Sequence, residues 1–67
     1  MGDKLLEAAQ REAALMIATA ERQWDAILYR IIKAGGDPTR AYQARRDAIA
    51  RLRFEADTAI REIRDGN

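Results

Sequence analysis

The chain has 67 residues, twelve basic against eleven acidic, for a formal net charge of +1. That length holds one small domain, and a charge so near zero exerts no overall pull toward nucleic acid or anionic lipid. Cys, His, Ser and Val are absent, which excludes disulfides, thiolate and zinc-thiolate chemistry, His-based metal sites and the usual nucleophile triads.

No run reaches the roughly 18 apolar residues that a membrane span needs. The opening Met1-Gly2-Asp3-Lys4 lacks a basic segment followed by an apolar one, so it does not read as a signal peptide. Leu6 stands where a myristoylation signal requires Ser or Thr. The expectation is a soluble, cytoplasm-compatible chain.

From about Asp3 the sequence is rich in Ala, Leu, Arg, Glu and Gln, all strong helix formers. The first helix is predicted over about 3–34. In it Leu6, Ala9, Ala13, Ile17, Ala20, Trp24, Ile27 and Ile31 recur at steps of three and four. The two successive steps of four, Ala9 to Ala13 to Ile17, mark a stutter that relaxes a left-handed supercoil. The turn is predicted at 35–37. Gly35 suits the left-handed position that ends a helix, Asp37 is a good N-cap, and Pro38 suits the first helical position. The second helix is predicted over about 38–65, with a stripe of Tyr42, Ile49, Leu52, Ala56, Ala59 and Ile63, and Ile60 beside it. Arg45 occupies a core-register position in that stripe, where it can snorkel out near the turn or pair across an interface and fix register. So short a connection makes the helices antiparallel neighbours. Positions whose numbers sum to about 73 then face one another, Ala13 toward Ile60 and Ile17 toward Ala56, large against small. The fold class is all-α, a two-helix antiparallel hairpin.

Two helices cannot enclose a core. On helix 1 the large apolar residues cover about half the circumference, with Leu5 and Met16 on one flank and Leu28 and Ile32 on the other. One partner helix fills a narrower stripe than that. The chain is therefore expected to self-associate into a helical bundle. A two-fold dimer, giving a four-helix bundle, is favoured, and a larger ring is the alternative. The expected oligomer interface is Leu6, Ile17, Trp24, Ile27, Leu28, Ile31, Ile32, Leu52, Ile60 and Ile63. Leu15, Tyr29 and Phe54 lie outside these stripes and form a possible second seam.

Few residues of the chain carry the pattern of a reactive site. Glu21 and Asp25, four apart, read as a solvated acidic face that can in principle share a cation, and no acid falls on the predicted central stripes. Gly35-Gly36 lacks the Lys-Ser or Lys-Thr of a phosphate-binding loop. No catalytic residue, metal ligand or cofactor site is expected, and the chain reads as a non-enzyme. Nucleic acid is the less favoured partner. Ten of the twelve basic residues are Arg, seven of them on helix 2, and Arg46, Arg53 and Arg64 share one flank. Acids interleave with them in ladders such as Arg53, Asp57, Arg61 and Asp65, as on a water-facing surface.

The compact loop Gly35-Gly36-Asp37-Pro38, the fourteen Ala and the charge ladders resemble de novo designed helical hairpins that form symmetric homo-oligomers. The resemblance implies that assembly itself is the function. A shorter stretch, Gly35, Gly36, Asp37, Tyr42 and Gln43, resembles the hairpin co-chaperones of type III secretion needle subunits, which would imply a heterotypic binding face. In layout alone the chain resembles Rop-type RNA-binding hairpin dimers.

Overall fold

The computed structural model describes residues 3–66. Among them are two helices, α1 (Asp3–Lys33) and α2 (Thr39–Asp65), and no strand. The fold is the expected all-α hairpin, with α1 ending one residue earlier and α2 beginning one residue later than the sequence predicts.

The reversal is made by backbone chemistry that the loop residues dictate. Gly35 has φ +83°, a conformation that costs a residue with a Cβ but not glycine. It lets the Gly36 N–H donate to the Ile31 carbonyl at 2.9 Å and the Gly35 N–H donate to the Ile32 carbonyl at 3.0 Å. This nested pair satisfies carbonyls left over at the end of α1. Arg30 and Lys33 stand in that last turn, where cations oppose the negative end of the helix dipole. Across the turn, the Asp37 carboxylate accepts hydrogen bonds from the Thr39 N–H at 3.0 Å and the Thr39 hydroxyl at 2.7 Å. It thereby satisfies one of the orphan donors at the start of α2. Pro38, at φ −82° and ψ 2°, is the boundary residue, and its carbonyl accepts from the Tyr42 N–H at 2.9 Å.

The seam between the helices follows a period longer than the heptad. On α1, Leu6, Ile17 and Leu28 face inward at successive intervals of eleven. On α2, Ala41, Leu52 and Ile63 do the same, as do Ile49 and Ile60. Eleven residues in three turns is ~3.67 per turn, close to the natural helical pitch, so the rods pack with little of the left-handed winding that a heptad imposes. The longer period corrects the predicted stripes. Leu28 is buried at 6% exposure, whereas Ile27 is 43% exposed: the step from Trp24 is four, not three. On α2, Tyr42 is 53% exposed. Ala41, Arg45 and Ala48 take the inward places instead, Ile60 turns into the seam, and Ala59 is exposed. Glu21, which the predicted stripe left outside, is half-buried.

The Cα trace spans 53 × 16 × 6 Å, a single flat layer. Leu28 and Ile49 are the only buried hydrophobic side chains among the described residues. Both broad faces of the layer are open to water.

Candidate functional site

One broad face carries an open apolar groove of about 310 Å³ between the helices. Alanines make its floor, Ala9 and Ala13 from α1 with Ala56 and Ala59 from α2. Leu52, Ile60 and Met16 form its walls, and Glu12 and Glu55 stand at its rims. The small side chains bring the two backbones close and leave the hollow. A shallower depression continues it toward the turn past Ala20 and Gln23, with Leu15 and Thr19 on its margin.

The same face bears a second apolar line. Leu5, Met16 and Ile27 recur at intervals of eleven and are 62%, 50% and 43% exposed. Each precedes a seam residue, Leu6, Ile17 or Leu28, by one position. One residue is about 100° around a helix, so the second line runs parallel to the seam and a quarter turn away from it. Helices in a four-helix bundle touch two neighbours at about that angle. In the sequence Leu5 and Met16 read as one flank of α1 and Ile27 as part of its central stripe; the eleven-residue period puts all three on one line.

The structure distributes the predicted interface residues over three environments. Leu6, Ile17, Trp24, Ile31, Leu52, Ile60 and Ile63 are half-buried in the seam of the hairpin itself, and Leu28 is buried there. Ile27 joins the groove face. Ile32 is 52% exposed and lies, by helical spacing, on the opposite face. Leu15, Tyr29 and Phe54 are exposed at 56%, 62% and 72%. Leu15 borders the shallow depression. The Tyr29 ring carries the Lys33 ammonium 5.5 Å from its centroid. Phe54 is, by spacing, on the outer edge of α2.

Arg45 bridges the helices. Its guanidinium lies 3.7 Å from the Glu21 carboxylate and 3.2 Å from that of Asp25. The cation that these two acids share is therefore an arginine of the same chain. The Arg45 Nε atom is buried, and its N–H is not aimed at an acceptor, so the Asp25 contact is an ion pair without a directed hydrogen bond. Of the flank arginines, Arg46 pairs with Asp47 at 3.5 Å and Arg64 with Asp65 at 3.3 Å, each with its own sequence neighbour. The Asp37 carboxyl is held below its ordinary value, first by the hydrogen bond from the Thr39 hydroxyl and then by that from its backbone N–H. Among the described residues no three potential metal ligands cluster, and no helix is long and apolar enough to cross a membrane.

No protein-family model, curated protein or solved structure matches the chain significantly.

Proposed function

We propose that this chain is a structural self-assembly module, of the designed-hairpin type its composition resembles, whose groove face packs against a second copy to make a four-helix bundle. The observation that carries the reading is the pairing of the groove with the exposed Leu5, Met16 and Ile27 line. The hairpin repeats the spacing of its internal seam on the face next to it, a quarter turn around α1. With two buried hydrophobic side chains among the described residues, the hairpin has removed little apolar surface from water, and covering this face adds to that burial. The apolar character of the face favours association as such, with no chemistry required of it.

Light scattering on a size-exclusion column tests the reading. The expected mass is twice 7.6 kDa, retained on dilution into the low micromolar range. Met16→Asp, which places a charge in the centre of the contact at a position exposed in the hairpin, is expected to shift the protein to monomer. A wild-type chain that runs as a monomer at every concentration would sink the proposal and redirect the groove to a heterotypic partner.

A further inference from the structure

The groove face also carries a charge pattern, and the pattern has a direction. Helical spacing sets the order along each rim. On α1, Glu12 and Arg30 are about five full turns apart and so point the same way. On α2, Arg40, Arg51, Glu55 and Glu62 follow one another within a narrow arc. All six side chains are exposed, and Glu12 and Glu55 border the groove directly. These three acids belong to the half of the hairpin nearer its open end. The three arginines belong to the half nearer the turn, where Asp47, exposed and about 20° around the helix from Arg40, is engaged by its neighbour Arg46. The face is thus a dipole, negative at the chain ends and positive at the loop.

Resting on the self-assembly reading, we infer that the second copy docks antiparallel, the turn of one hairpin over the open end of the other. The two-fold axis crosses the long axis at right angles, so α1 lies over α1 of the second copy and α2 over its α2. Glu12 of one copy then sits at the level of Arg30 of the other. Glu62 meets Arg40, Glu55 comes close to Arg51, and the symmetry repeats each pair. Beneath the charges, Met16 falls opposite Ile27 of the second copy, and the alanines of α2 permit a close approach to the facing α2. Size alone also accepts the parallel arrangement, in which the Leu5, Met16 and Ile27 line lies over those alanines. Charge decides against it. The parallel dimer brings the acids of both copies together at one end and their arginines together at the other. Like-charge juxtaposition of this kind selects orientation and partner even where each ion pair adds little affinity.

The test combines a distance with a charge reversal. The chain has no cysteine, so Ala8→Cys, on an exposed position outside the rims, takes a single spin label. In the antiparallel dimer residue 8 lies near the level of residue 34 of the second copy. The labels are then separated by roughly 39 Å along the axis at ~1.5 Å per residue; the parallel dimer holds them within about half of that. Glu12→Arg is expected to weaken the antiparallel dimer at least tenfold, and the exchanged pair Glu12→Arg with Arg30→Glu to recover it. A dimer with the short distance, or one that Glu12→Arg tightens, overturns the orientation and leaves self-assembly standing. A wild-type monomer or larger ring by light scattering overturns the two-fold reading beneath it.

Discussion

Gly35 and Gly36 are adjacent and alike in sequence, yet a side chain would meet a different obstacle at each position. At Gly35 the requirement is conformational. Its φ is +83°, and a Cβ there would meet nothing within 4 Å, so a side chain has room but not the backbone geometry. At Gly36 the obstacle is contact: a Cβ would lie 3.1 Å from Ile31 Cγ2 and 3.3 Å from the Ile31 carbonyl oxygen, so Ile31 would have to give way by a few tenths of an ångström. Gly35→Ala is therefore expected to destabilise the hairpin by about 1 kcal/mol through the left-handed conformation alone. Gly35→Asn should cost less, because Asn tolerates that region better than Ala. Thermal unfolding followed by circular dichroism measures both. A melting temperature unchanged in Gly35→Ala would show that the turn can close without the left-handed residue. These roles were legible in advance because they are local: a Gly, an Asp and a Pro within four residues specify a stop and a start whatever the rest of the chain does. The tight contact at Gly36 was not, since it depends on where the Ile31 side chain rests.

At the scale of the helix, the sequence located both rods to within a residue and most of the inward side of each, but misplaced three positions, Ile27 on α1 and Tyr42 and Ala59 on α2. Steps of three and four at Trp24, Ile27 and Ile31 follow the winding of a heptad. The stutter at Ala9, Ala13 and Ile17 already relaxed that winding, and its consequence, carried on to residue 28, is the eleven-residue repeat. Neighbouring positions lie about 100° apart on a helix, so as the period lengthens Leu28 takes the inward place in preference to Ile27 and, on α2, Ala41 in preference to Tyr42. Glu21 lies half-buried at the margin of the same seam, where Arg45 meets it. Tertiary pairing of this kind is not carried by the spacing on either helix taken singly. The bridge also sets a limit on its own strength. Arg45, Glu21 and Asp25 have side chains 30%, 39% and 64% exposed, so water screens the attraction. A double-mutant cycle between Arg45→Ala and Asp25→Ala is expected to give a coupling of less than about 1 kcal/mol. A coupling well above that would mean the pair is shielded, as it would be if a further chain covered this side of the hairpin.

At the scale of the whole molecule, the flatness of the layer decides how stability depends on concentration. A chain of this size loses ~1.5 kcal/mol of conformational freedom per ordered residue, and a layer with two buried hydrophobic side chains among the described residues recovers little of it from internal packing. If the groove face supplies the rest through a second copy, folding and association are linked, and mass action then stabilises the folded dimer as protein is added. Each tenfold rise in concentration favours the dimer by about 1.4 kcal/mol. Over a hundredfold range that amounts to a rise of roughly 5–10 °C in the melting temperature of a pair of chains this size. Met16→Asp should melt lower and with a weaker concentration dependence than the wild type, because its loss falls on the contact between copies rather than on the seam. Leu28→Ala should lower the melting temperature at every concentration, because Leu28 is buried within the hairpin itself. A wild-type melting temperature that stays constant across the range would show that the seam alone holds the fold, and that Leu5, Met16 and Ile27 are tolerated in water without a second copy to cover them.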